Sequence, residues 1–238
     1  GEANTLQALG DLHIRNSNLK DAENNYKAAL NIFQTIDSKL GEANTLKALG
    51  DLHIRNDNLK DAENNYKAAL NIFQTIDEKL GEANTLRALG DLHIRNDNLK
   101  DAENNYLEAL NIYQTIDSKL GEANTTLCIL RLSILFENEA FNIDDFEDIK
   151  HKYQNIGDNE GISDVFQVEM FYNLTQDQFE KAEDCFNECL KIKETTKNYL
   201  ELKMWLKIYH KRFIDKKQTK QAEIINDCIE KVVSLIQA

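Results

Sequence analysis

Residues Gly41 to Leu80 read GEANTLKALGDLHIRNDNLKDAENNYKAALNIFQTIDEKL, and this stretch decides the fold because the chain repeats it every forty residues. Residues 1–40 differ from it only at Gln7, Ser17 and Ser38; residues 81–120 differ at Arg87, Leu107, Glu108, Tyr113 and Ser118. A fixed period with so few changes marks a repeat array. Past residue 120 the register persists while the identity fades. GEANTT restarts the phase at Gly121, QFEKAEDCFNECLKI at Gln178 to Ile192 overlays NLKDAENNYKAALNI, and QAE at Gln221 to Glu223 overlays DAE. The chain divides into a half of three near-identical units (1–40, 41–80, 81–120) and a half of three divergent ones (121–160, 161–200, 201–238), continuous with the first.

Within the central unit the apolar residues Ala43, Leu46, Leu49 and Leu52, with His53, are spaced by threes and fours, which gives a helix with one buried stripe. This spacing predicts helix A over about Lys39 to Arg55. A second set, Leu59, Ala62, Tyr66, Ala69, Leu70, Phe73 and Ile76, predicts helix B from Leu59, with Asn58 as N-cap and Asp61 as its capping-box partner. Asn56-Asp57-Asn58 is short and polar, so the two helices form an antiparallel hairpin. Asp77 and Gly81 are expected to break helix B from the next helix A.

Leu46-x2-Leu49-Gly50-x2-His53, then Ala62-x3-Tyr66 and Ala69, resembles the tetratricopeptide signature W-x2-L-G-x2-Y, A-x3-F. Gly50 and Ala62 are small where the helices would cross closely, and Tyr66 is large where helix B meets the following hairpin. Leu46 stands for the signature Trp, His53 for the Tyr, and no Pro lies near Gln74 to close the unit, so helix B can run longer. The forty-residue period with LGEA leading into each helix A is similar to the arrays of Pins/LGN-type adaptor proteins. The resemblance implies an all-α fold: a right-handed α-solenoid superhelix of six antiparallel helix-turn-helix units, about twelve helices. Copy four departs most, with Leu130 at the position of Gly50 and Asn142 at that of Ala62, so its hairpin is expected to be wider or re-angled.

Composition narrows the function. A chain of 238 residues with no Pro and 9 Gly is nearly continuous helix. A net charge of −13 and a pI near 4.9 disfavour nucleic-acid binding, which needs a clustered basic face. No run of eighteen apolar residues suggests a membrane span. Cys128, Cys185, Cys189 and Cys228 occupy largely apolar helix positions and imply a reducing, cytoplasmic home without disulfides. His13, His53 and His93 recur at one unit position, but packed helices lie about 8–10 Å apart while metal donors must converge to about 2 Å from one ion. They read as packing residues, as Cys185 and Cys189 read as small buried hydrophobes. The acids of Asp144 to Asp148 lack calcium-loop spacing and read as a solvated helix start. Phosphate-loop, zincin and nucleophile-elbow motifs are missing from the sequence, so no enzyme, metal or cofactor is expected.

The resemblance implies that one face of helix A lines a concave groove. Its candidate peptide-binding residues are Asn4 and Arg15; Asn44, Lys47, Asp51 and Arg55; Asn84, Arg87, Asp91 and Arg95; then Asn124, Leu127, Arg131 and Phe171. An Asn amide both donates and accepts, so a ladder of them can pair with an extended backbone, while Arg and Lys select carboxylates. Asp11, Asp51 and Asp91 either contribute to recognition or neutralise neighbouring cations. Leu127, Leu135 and Phe171 either anchor a partner or are buried by a distorted hairpin. The expected function is a non-catalytic protein-protein interaction scaffold that binds an extended or helical peptide segment in this groove. The alternative is a structural or self-associating array that stacks end to end through its terminal hairpins, where Trp205, Tyr209 and Phe213 lie on helix A of copy six and Ile225, Ile229, Val232, Val233 and Ile236 on its helix B.

Overall fold

The computed structural model describes residues 1–136, 144–196 and 199–237. Among them it places twelve α-helices: α1 (Glu2–Arg15), α2 (Leu19–Thr35), α3 (Lys39–Arg55), α4 (Leu59–Thr75), α5 (Lys79–Arg95), α6 (Leu99–Thr115), α7 (Lys119–Phe136), α8 (Asp144–Ile156), α9 (Asn159–Thr175), α10 (Phe179–Thr196), α11 (Leu200–Asp215) and α12 (Thr219–Gln237). The all-α helical repeat architecture is as the periodicity requires. The position of Asn142 lies outside the described residues.

A shorter period underlies the forty. Ser17, Asp37, Asp57, Asp77, Asp97, Asp117, Gly157, Asp177 and Lys217 all have φ between 52° and 77°, one every twenty residues wherever the chain is described. Each closes a helix in the same way. After α3, the Asp57 amide donates to the Ile54 carbonyl and the Asn58 amide to the His53 carbonyl, which is the paired pattern of a Schellman stop. Short Asp side chains tolerate the left-handed conformation, so two helices and two identical stops make one repeat unit.

Two sequence expectations about helix ends are corrected. Asn58 does precede α4, but its amide donates to Asp61 Oδ2 at 2.6 Å instead of the two side chains capping the backbone. Gly81 is not a breaker either, since it lies in the first turn of α5, and the break falls at Asp77 and Glu78. A Cβ at Gly81 would collide with the ring of Phe73, which is fully buried against it. Phe33 and Gly41, Tyr113 and Gly121, and Tyr153 and Gly161 repeat this ring-on-backbone contact. Inside the hairpin Gly50 does the same for Tyr66, whose Cε1 would lie 2.5 Å from an added Cβ. That ring also packs on Leu89 and Leu92 of α5, so one side chain joins its own hairpin to the next.

The chain forms two compact units, residues 1–132 and 133–238. In the first, α1 with α2, α3 with α4 and α5 with α6 form hairpins, and α2 packs on α3 as α4 does on α5. Helix A also touches the next helix A, α1 to α3 and α3 to α5. In the second unit α9 packs on α8 and α10, and α11 packs on α12. The fifth repeat changes chemistry where an aromatic would stand: Lys193 occupies the place of Phe73 and is only 1 % exposed. It forms ion pairs with Glu160 and with Asp164, the latter at 2.9 Å.

All four cysteines are free and buried. Burial pushes the thiols of Cys185 and Cys228 up to about 12 and that of Cys189 up to about 11. A raised folded-state value stabilises the fold below the unfolded thiol range and is lost as pH climbs through the folded value. Stability should therefore decline between about pH 9 and pH 11–12, and Ellman's reagent should modify these thiols only as fast as the helices open. Rapid labelling at pH 8 with native circular dichroism would contradict the burial.

Candidate functional site

The polar stripe of helix A comes together in the first unit, on α1, α3 and α5. Asn4, Arg15, Asn44, Arg55 and Arg95 are exposed; Lys47, Asp51, Asn84, Arg87 and Asp91 are half-buried. Because α1 touches α3 and α3 touches α5, while α2 and α4 each lie between two A helices, the first unit brings these stripes side by side.

The carboxylates are not idle. Tyr26 Oη donates to Asp11 Oδ1 at 2.6 Å, Tyr66 Oη to Asp51 Oδ1 at 2.7 Å, and Tyr106 Oη to Asp91 Oδ1 at 2.6 Å. Burial, together with the facing carboxylates, holds all three phenols protonated, far above the usual tyrosine range. The second oxygen of Asp51 takes Lys47 at 2.9 Å, and that of Asp91 faces Arg87 at 3.7 Å. Asp51 and Asp91 thus neutralise cations, with the Lys or Arg one turn earlier on the same helix as partner beside the Tyr of helix B, whereas Gln7 stands at that position before Asp11. The fifteen-residue separation of Asp and Tyr recurs in all three copies and was the signal available in the sequence.

The Asn ladder is uneven. Asn84 Oδ1 accepts from Tyr113 Oη at 2.7 Å, a bond that copies one and two lack because Phe33 and Phe73 stand at that position. Asn124 is half-buried. In copy one, Gln7 Nε2 donates to Thr45 Oγ1 at 2.8 Å and ties α1 to α3.

The apolar end of the stripe is covered. Leu127 and Leu135 are each 3 % exposed and Arg131 4 %, so the anchoring alternative for these positions is corrected to internal burial. Phe171 is 1 % exposed and stacks on Tyr209 with centroids 3.9 Å apart, with Phe213 at 5.1 Å. In the second unit aromatic packing between α9 and α11 replaces the polar stripe, which withdraws Phe171 from any surface. Trp205, Tyr209 and Phe213 are buried, and on α12 Ile225 and Val232 point inward while Ile236 is exposed.

Among the described residues no group of three or more His, Cys, Asp or Glu side chains is placed to hold a metal ion. Also among them, no helix is long and apolar enough to cross a membrane.

The stacked hairpins with a repeating helix A face define a helical repeat solenoid of the tetratricopeptide type. Tetratricopeptide-repeat family models match residues 1–75 and 41–115, and another matches residues 171–196. No curated protein matches the chain in sequence. Among solved structures, aspartyl phosphate phosphatase F from Bacillus subtilis is similar with a TM-score of 0.85 at 14 % identity, over 99 % of this chain and 60 % of that one. A Rap protein complexed with Competence and Sporulation Factor gives 0.81 at 11 % identity, over 99 % and 64 %. The apo form of RapI gives 0.85 at 11 %, over 99 % and 84 %. The chain therefore spans about three fifths of the length of the first two, and at these identities the likeness establishes fold.

Proposed function

We propose that this chain is a non-catalytic interaction scaffold that holds an extended or helical peptide segment of a partner protein along the helix A face of its first three repeats. The observation that carries the reading is the recurrence, on three touching helices, of one solvent-facing polar stripe whose internal bonds are already satisfied. A peptide laid across it meets the same groups every forty residues of sequence. The Rap protein named above was solved with a bound factor, which supports a binding role for this architecture. The recognition is passive, and the phosphatase name of a neighbour brings no chemical step to this chain. Free, buried cysteines fit a reducing intracellular setting. The forty-residue unit keeps the likeness to Pins/LGN-type adaptors within this reading.

Selection of a random-peptide phage library on the chain, followed by hydrogen exchange of the selected complex, tests it. Protection is expected on α1, α3 and α5. Protection confined to the outer faces of α2, α4 and α6, or no selected peptide at all, would defeat it.

The self-associating reading has one observation in its favour. Leu9 and Leu12 on α1 are 40 % and 48 % exposed, whereas their counterparts Leu49 and Leu52 are buried beneath the preceding helix B. Sedimentation over a hundredfold concentration range should show growth if that face stacks.

A further inference from the structure

Leu9 and Leu12 lie on a face of α1 that recurs, residue for residue, on α3 and α5. On α3 that face is covered: Leu49 and Leu52 pack in one cluster with Ala22 and Tyr26 of α2, with Leu19 and Leu30 of α2 at its edge. On α5, Leu89 and Leu92 pack in the same way with Ala62 and Tyr66 of α4, and Leu59 and Leu70 stand at the edge. The covering residues fall at i, i+3, i+7 and i+11 of helix B, one apolar stripe over about three turns. Thr5 and Ala8 widen the open face of α1, since both are exposed there while Thr45 and Thr85 are fully buried. The surface that α1 shows to solvent therefore has a known complement, seen twice in this chain.

A second copy of the chain does not supply that complement. Tyr26, Tyr66 and Tyr106, with Phe186 at the same place in the fifth repeat, are all buried within their own chain. On α12 the corresponding stripe turns polar, with Thr219, Asn226 and Glu230 exposed and Asn226 Nδ2 donating to Glu230 Oε1 at 3.0 Å. Laying that helix on Leu9 and Leu12 would strip water from a carboxylate with no cation to receive it. Two α1 faces laid together bring leucines and alanines but no ring, whereas both covered copies of the face receive a tyrosine.

We infer that this face of α1 docks an amphipathic helix of a partner protein, with Leu, Ala, an aromatic residue and Leu at i, i+3, i+7 and i+11, lying on α1 as α2 lies on α3. A helix laid by its apolar stripe against an apolar surface is a recurrent mode of recognition, and adjoining exposed leucines are where such a helix gains its contact. Leu9 and Leu12 stand about a quarter turn around α1 from Asn4 and Arg15 at 3.6 residues per turn. The docking face is therefore distinct from the polar stripe of the proposed function, and the two readings stand or fall separately.

The probe is a fluorescein-labelled peptide with the sequence of Leu59 to Thr75, LKDAENNYKAALNIFQT. A hydrocarbon staple between the positions of Asn64 and Ala68, which face solvent in α4, holds it helical, because short isolated helices are marginal in water. Anisotropy titration should show saturable binding, weakened at least tenfold by Tyr66→Ser in the peptide and at least tenfold by Leu9→Glu with Leu12→Glu in the chain. Leu107→Glu with Leu120→Glu, at exposed leucines away from α1, should leave the affinity unchanged. Circular dichroism checks that the charged variants remain helical, and the peptide variant reads the same contact on the parent chain. No saturable binding, binding indifferent to Tyr66→Ser or to the α1 substitutions, or equal loss with the Leu107 and Leu120 variant would overturn the inference. So would a concentration-dependent dimer of the free chain that Leu9→Glu with Leu12→Glu dissolves, since a second copy would then be the occupant.

Discussion

Lys193→Ala should cost about 3 kcal/mol of stability. Removing one partner of a buried ion pair costs roughly 3–5 kcal/mol because the other charge is left without compensation. Here the lysine is 1 % exposed, but Glu160 and Asp164 keep 32 % and 23 % of their side-chain surface, so water can recover part of the loss and the lower end applies. Two neighbouring carboxylates hold the ammonium above its ordinary value against the opposing effect of burial. The sign follows: the contribution is fully present below the unfolded lysine pKa and is lost only as pH rises beyond it, so the effect of the mutation is flat from pH 6 to pH 9. The same site offers a rescue. Replacing the ionic cluster as a whole, with Lys193→Met, Glu160→Leu and Asp164→Asn, restores apolar contacts like those of the earlier repeats and should return the protein to within about 1 kcal/mol of the parent, since apolar replacements of buried ion pairs are often neutral or better. Urea titration followed by circular dichroism measures both variants. A single mutant as stable as the parent would show that the ion pairs contribute nothing there.

Phe73→Ala should be at least as damaging, at about 3–5 kcal/mol, the range for emptying the site of a fully buried aromatic ring. The ring lies in a cluster with Ala43 and Ala69 and covers Gly81 of the following hairpin, so its loss opens a cavity between the second and third repeats. In an array whose stability is a sum of unit and interface terms, weakening one interface uncouples its two sides. The expected signature is therefore a broadened or two-step urea transition as well as a lower midpoint. A sharp, unshifted transition would mean that this junction is held by something else. The pairing also explains a substitution in the fifth repeat: aromatic residues at this position are followed eight residues later by Gly in the first four repeats, whereas Lys193 is followed by Glu201. Where the glycine that receives the ring is gone, the ring is gone as well.

These two sites show where pattern and packing part company. The forty-residue period, the helix boundaries of α3 and α4 and the all-α class follow from the spacing of Leu, Ala and aromatic residues, because a helix face is a local property of the chain. The tetratricopeptide reading followed from Leu49, Gly50, Ala62 and Tyr66 for the same reason. The exposed ends of the stripe, Asn4, Arg15, Asn44 and Arg55, were also legible, since they are what remains when the packed positions are removed. Partners were not. That Asp51 would be held by both Tyr66 and Lys47 needed the crossing geometry of two helices, although its fifteen-residue spacing was repeated in plain view. In the later copies the sequence stripe turned apolar at Leu127 and Phe171 and left anchoring or burial open, and tertiary packing removed both, with Arg131, from solvent. Helical periodicity assigns a residue to a face, but whether that face meets water depends on the helix packed against it, and for α9 that helix is α11, with Tyr209 and Phe213 arriving some forty residues later in the chain.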